Sequence, residues 1–266
     1  MPEYLYHYTQ ADTLGLILET RRIRFNRLDH VRDLTEGQSR DLGRLGMYQF
    51  VSCWTESVAE SIPVWGLYTP QMAGVRVRLP IDMFAAYEQE STRYKGVHVD
   101  PGTRHILPLD ERIRGNCIVG PHPPEFPHRM MYTDNPNLLT PSVAEEPTVI
   151  QFGRIGVYKS HDWEFEAEWR YRLFAVPHPV PRDGDFGSPR FAETVGRQIV
   201  DIFNARTVED TGLFGTLSDS AFRQMELLLG PCLDTTTRTR IESLLARLNP
   251  DCRVKSSRFA GRIRCD

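Results

Sequence analysis

The stretch Trp163-Glu164-Phe165-Glu166-Ala167-Glu168-Trp169-Arg170-Tyr171-Arg172 constrains this chain more than any other. At the period of two that an extended strand imposes, Glu166, Glu168, Arg170 and Arg172 fall on one face. Trp169, Tyr171 and Leu173 fall on the other. A strand that buries its aromatic and aliphatic face must send two carboxylates and two guanidiniums the opposite way. That polar face is either a solvated surface of weak cross-strand ion pairs or one wall of a polar cleft. What distant segments bring to it decides between the two.

The chain around this strand is ordinary in bulk. Its 266 residues can bury a sizeable core, and 40% hydrophobic with 25% charged residues is a globular composition. The net charge of −3 gives no reason to expect a nucleic-acid or membrane partner. Of the 32 basic residues only Lys95, Lys159 and Lys255 are lysines. Arginine suits phosphates and carboxylates, although a GC-rich coding sequence gives the same bias. The five cysteines are scattered without a CxxC pair, which predicts reduced thiols rather than a disulfide framework or a structural zinc site. The N-terminus lacks a basic segment followed by an apolar run, and no apolar stretch is long enough to span a bilayer. These features predict a cytoplasmic protein with no membrane partner.

Periodicity predicts an α+β chain. Tyr4–Tyr8 reads as a strand, and Leu14, Ile17 and Leu18 mark a helix that Thr9 and Asp12 would cap. Ile23–Phe25 reads as a short strand, and residues 28–44 as a loop carrying Asp33 and Glu36. Gln49–Trp54 is a strand. Ser57 and Glu60 form a capping box, and Ser61–Pro63 opens a helix through Trp65 to Tyr68. Gly74–Leu79 alternates as a half-exposed strand, and Ile81–Glu90 reads as a helix. Seven prolines between Pro121 and Pro147 predict an irregular loop, and Pro177–Pro189 a second flexible connection. A helix over Phe191–Phe203, a strand over Met225–Leu229, a helix through Ile241, Leu244, Leu245 and Leu248, and a strand over Cys252–Lys255 follow. We read one domain over residues 1–266, with a core at 1–176 and a C-terminal β-α-β portion at 190–266.

The chain carries no GxGxxG, Walker or GxSxG motif, and its histidines show no metal-ligand spacing. Leu5-Tyr6-His7-Tyr8-Thr9 with its helix, Arg32-Asp33-Leu34-Thr35-Glu36, and Val51-Ser52-Cys53-Trp54-Thr55-Glu56 with Val64-Trp65-Gly66-Leu67-Tyr68 form a recognisable series. Tyr158-Lys159-Ser160 and Trp163 through Arg170 complete it, and Leu227 through Ser257 closes it. Together these segments resemble the bacterial family catalogued as domain of unknown function 2971. That arrangement is in turn similar to the ADP-ribosyltransferase superfamily. The resemblance implies an ADP-ribosyltransferase-like split β core with flanking helices and a C-terminal β-α-β extension.

It also implies a site. By position, the superfamily's histidine corresponds to His7, its aromatic to Tyr68 or Trp65, and its glutamate to Glu168 or Glu166. NAD would be the substrate, with Thr9, Ser52, Trp54, Trp65 and Arg170 around it. The acceptor would be a protein or nucleic acid, and a cognate inhibitor protein would be a partner if the chain is a bacterial toxin or antiviral-defence component. Breaking the nicotinamide–ribose bond passes through an oxocarbenium-like state that a carboxylate stabilises. Two other readings stand beside this one: a non-catalytic binding module on the same fold, and a metal-dependent nuclease using Glu166, Glu168 and Asp33.

Overall fold

The computed structural model describes residues 1–90, 92–94, 97–99, 101–102, 104–114, 117–120, 126–146, 149–177, 208 and 210–265. Among these the chain is α+β, built on one eleven-stranded mixed sheet. The strands are β1 (Tyr4–Thr9), β2 (Arg22–Arg27), β3 (Gln49–Thr55), β4 (Val75–Pro80), β5 (Ile113–Arg114) and β6 (Cys117–Val119). They continue with β7 (His128–Arg129), β8 (Glu168–Pro177), β9 (Gly212–Thr216), β10 (Glu226–Leu229) and β11 (Arg253–Ser256). The main path runs β5-β6-β8-β3-β1-β4-β10-β11, with β7 also on β8 and the β2–β9 pair joined to β3. All these pairs are antiparallel except β10–β11. The N-terminal and C-terminal parts of the chain thus share one sheet.

Helix α1 (Ala11–Thr20) forms where the apolar spacing predicts, burying Leu14, Ile17 and Leu18. Its N-cap is Gln10 and makes no side-chain hydrogen bond, because Thr9 stays in β1. It packs beside helix α3 (Thr235–Leu248), where Arg240 Nη2 reaches Asp12 Oδ1 at 2.6 Å. Helix α2 (Ile62–Tyr68) is capped by Ser61, whose Oγ accepts from Val64 N at 3.4 Å, rather than by Ser57.

Three further expectations are corrected. Ile81–Glu90 is not a helix: Phe84 bridges Leu217 and Tyr87–Glu88 is a short strand. Its apolar residues cover the sheet instead, with Phe84 edge-on to Tyr171 at 5.0 Å, and this packing overrides local propensity. Strand β4 is not half-exposed: Arg76 and Arg78 are covered by the rings of Tyr6 and Tyr4, at 4.5 and 4.0 Å. Cys232 and Cys265 form a disulfide, their Cα atoms 5.4 Å apart, whereas Cys53, Cys117 and Cys252 are not disulfide-bonded. The tail folds back on the turn after β10, which spacing alone could not reveal. The connection beyond Pro177 and the segment 191–203, expected to be a helix, lie outside the described residues. Among the described residues no helix is long and apolar enough to cross a membrane.

Candidate active site

Strand β3 has a complete ladder with β8 on one edge, from Gln49↔Phe174 to Thr55↔Glu168. On its other edge β1 pairs only at Tyr6↔Thr55, while β2 pairs at Asn26↔Val51 and Arg27↔Phe50. Among the described residues, Ser52, Cys53 and Trp54 therefore have no strand partner on that edge. β1 stays with β4 along its whole length, from Tyr4↔Pro80 to Thr9↔Val75, and so peels away from β3. The opening between β1 and β2 is a cleft of about 760 Å³. Residues of β1, α1, β2, β3, α2 and β8 line it.

The acidic stretch of the sequence splits in two here. His161–Glu166 is a 3-10 turn, Ala167 takes a left-handed conformation (φ 44), and only then does β8 begin at Glu168. The expected four-residue polar face is thus corrected to Glu168, Arg170 and Arg172. Glu166 reaches the same place from the turn. Arg172 turns to the carbonyls of Gly153 and Ile155, at 3.1 and 3.0 Å, and leaves the group.

What remains is buried and fully paired. Arg170 donates from Nε to Glu168 Oε1 at 2.7 Å and from Nη2 to Glu168 Oε2 at 2.9 Å. Its Nη2 also reaches Glu36 Oε1 at 2.9 Å, and its Nη1 the second Glu36 oxygen. Lys159 Nζ donates to Glu166 Oε2 at 2.5 Å and Glu168 Oε2 at 3.1 Å, with Glu36 Oε1 at 3.6 Å. The Tyr68 hydroxyl donates to the other oxygen of Glu166. The backbone N–H of Glu168 donates to the Tyr132 hydroxyl at 2.8 Å. Three carboxylates therefore face two permanent cations, which leaves one negative charge in excess.

That excess falls unevenly. Burial works against the Glu168 charge, but the adjacent Arg170 and Lys159 overcome it and hold the carboxyl down to about 2. Burial and the charge of Glu168 raise Glu166 above the usual carboxylate range, against Lys159 and Tyr68. Glu168 is a fixed anion that orders its neighbours; Glu166 is the carboxylate whose proton is adjustable. Carboxylates perturbed in opposite directions in one cleft occur at acid–base sites and in structural ion-pair networks alike.

The remaining expected residues divide by the sheet face. Tyr6, Thr55 and Glu168 lie opposite one another across the ladder, as do Cys53 and Arg170, so all five share a face. His7 and Trp54 point to the other face, their rings 5.1 Å apart. His7 comes to the cleft through the gap: its Nδ1 is 2.9 Å from the carbonyl oxygen of Cys53. A carbonyl only accepts, so Nδ1 carries the proton and Nε2 is left as an acceptor. Burial lowers the His7 pKa and keeps the ring neutral. Cys53 touches both halves of the site, because its thiol is also hydrogen-bonded to Glu168. Burial and the Glu168 charge push that thiol well up, away from nucleophilic thiolate character.

Thr9, Ser52 and Trp54 line the cleft, with Ser52 Oγ accepting from Trp54 Nε1 at 2.9 Å. Trp65 is not among the lining residues. It is fully buried, edge-on to Tyr8 at 4.7 Å, and donates to Glu60 Oε2 at 3.1 Å. Of the two aromatics that the resemblance left open, only Tyr68 reaches the cleft.

Glu36 and Lys159 are the members that sequence reasoning left out of the site. Glu36 is set by the left-handed Gly37 (φ 77), where an added Cβ would stand 2.6 Å from Gly46 Cα. Lys159 is set by the parallel pairing of Tyr158 and Lys159 with Met131 and Tyr132. A lone lysine two residues before an acidic turn was the available signal. Among the described residues no group of three or more His, Cys, Asp or Glu is arranged to hold a metal ion; of the acids that a nuclease would use, Glu166 and Glu168 are paired with Lys159 and Arg170, and Asp33 accepts from Thr35. Comparison with family models, curated proteins and solved structures finds no match for this chain.

Proposed function

We propose that the chain consumes NAD by glycosyl transfer, releasing nicotinamide and passing ADP-ribose to an acceptor or to water. The observation that carries this reading is the convergence of His7, Tyr68 and Glu166, from three distant segments, on one cleft. Its volume lies within the range that holds small ligands and cofactors. Glu166 supplies a carboxylate whose negative charge stabilises the oxocarbenium-like state more than the ground state. Tyr68 fixes that carboxylate by its hydroxyl and offers its ring as a wall for the nicotinamide. The Nε2 of His7 accepts from a ribose hydroxyl and sets the sugar's orientation. Arg24 and Arg32 line the cleft without an acidic partner among the described residues, and provide cations for the pyrophosphate.

The test is nicotinamide release from NAD by the purified chain. Glu166→Gln and His7→Ala should each lower the rate by about 10²-fold or more while leaving the fold intact. Absence of nicotinamide release from the wild-type chain in the presence of candidate acceptors rejects the reading. A second reading has its own support. Each oxygen of Glu36, Glu166 and Glu168 already has a protein partner, which is what a binding module that does no chemistry would show. It predicts NAD binding without turnover, unchanged by Glu166→Gln.

A further inference from the structure

We infer that the Cys232–Cys265 bond is a redox-sensitive clamp on the helix that carries Tyr68 into the cleft. Helix α2 is held at both ends by the C-terminal segment. At its N-terminal end Glu60 accepts from Ser257 Oγ and from Arg258 N, the latter at 2.8 Å, while Arg258 Nη2 donates to the Glu60 carbonyl at 3.3 Å. The same Glu60 carboxylate receives the indole N–H of Trp65, so the tail and the buried face of α2 share one acceptor. Just beyond its C-terminal end, Met72 and Gly74 bond to the turn after β10. Gly230 N donates to Gly74 O at 2.9 Å and Cys232 N to Met72 O at 3.3 Å. The fit is close, since a Cβ on Gly230 would stand 2.5 Å from the Met72 carbonyl.

Between these ends Phe259 packs into the small cluster of Tyr8, Val64 and Trp65, beside Tyr68 and Met72. The turn at 230–232 and the tail at 257–265 are the two jaws, and the disulfide joins them across 33 residues of sequence. Apart from Phe259, the half-buried Ile263 and the buried Ser257, the tail offers little apolar surface: Arg258, Ala260, Gly261, Arg262 and Arg264 are exposed. The tail is held at its start by Glu60 and the Phe259 contact and at its end by the covalent link. Cys265 is itself exposed and open to thiol–disulfide exchange.

The exchange is a two-electron step. A thiolate of a dithiol reductant attacks the Cys265 sulfur, Cys232 leaves as a thiolate and takes a proton from water. The reductant's second thiol then displaces Cys265 and closes its own disulfide. Two cysteine thiols and an oxidised dithiol result. Opening the clamp frees the tail, loosens Glu60 and Trp65, and lets α2 fray towards Tyr68. Tyr68 is the donor to Glu166, so the redox state reaches the carboxylate on which the proposed chemistry rests. Only that last link depends on the proposed function.

The experiment is hydrogen–deuterium exchange on the full chain, oxidised and after treatment with dithiothreitol, alongside Cys265→Ser. The expected result is amide exchange over residues 62–72 at least about tenfold faster in the reduced chain and in Cys265→Ser than in the oxidised chain. Reoxidation should restore protection in the wild type only, with nicotinamide release falling and recovering in step. Exchange that rises only over residues 257–265 overturns the clamp, because the tail then frays without reaching α2. Identical exchange in both redox states overturns it as well. Faster exchange over 62–72 in a chain that never releases nicotinamide supports the clamp and counts against the proposed function alone.

Discussion

Replacing Lys159 by methionine removes one of the two cations from the buried group while keeping its apolar stem. In the native protein Nζ lies 2.5 Å from Glu166, 3.1 Å from Glu168 and 3.6 Å from Glu36, with the side chain only 4% exposed. Without it three carboxylates face Arg170 alone, and the excess negative charge rises from one to two. Breaking a buried ion pair from one side costs about 3–5 kcal/mol. Glu166 relieves part of that cost by taking up a proton. Burial and the Glu168 charge already raise it, and Lys159 is the main group opposing them. A carboxyl whose folded pKa lies above its unfolded value favours the native state while protonated, and loses that contribution as pH rises through the folded value. Lys159→Met should therefore lie closest to wild type at about pH 5 and furthest from it at about pH 8. Urea denaturation of both chains at the two pH values reads the difference. The double variant Lys159→Met/Glu166→Gln should regain about 1–3 kcal/mol relative to the sum of the single changes. A cost below about 1 kcal/mol that does not vary with pH, or strict additivity in the double variant, would refute the electrostatic account of the site.

Two further outcomes follow from the same geometry. Glu168 is held at about 2 by Arg170 and Lys159, so it stabilises the fold above its ordinary value of 4.5, and that contribution is lost as pH falls from there towards about 2. Glu168→Gln should cost roughly 3 kcal/mol near neutral pH and flatten the acid-unfolding profile over that interval, as followed by circular dichroism. Trp65→Ala should destabilise the chain by about 3–5 kcal/mol, because the indole is fully buried against Tyr8.

Much of the scaffold was legible because its elements carry their own period. Leu14, Ile17 and Leu18 announce α1, and the alternation of Val75, Val77 and Leu79 announces β4. The site was legible in its residue types and less so in its geometry. The run from Trp163 to Arg172 satisfies a period of two throughout, yet its first four residues are a 3-10 turn. A turn that short leaves no helical period, and Ala167 in a left-handed conformation breaks the strand without a glycine to signal it. Trp65 and Tyr68 lie three apart on one helix, and only packing decides that the indole goes to the core and the phenol to the cleft. Glu36 was invisible as a site residue because it enters from a loop whose course depends on Gly37 fitting against Gly46. Cys232 and Cys265 could not be paired from their spacing, since the contact is made by the tail returning to the turn after β10.

The opening between β1 and β2 as a nucleotide site is the centre of the account. Titration of the labelled chain with a carbocyclic NAD analogue, in which a methylene replaces the ring oxygen that an oxocarbenium-like state needs, followed by NMR, tests it directly. Resonances of His7, Tyr8, Cys53 and Tyr68 should shift together and saturate with one affinity, and the His7 ring should keep its Nδ1–H tautomer. Saturation that leaves these four unmoved, or shifts confined to residues outside the cleft, would contradict it.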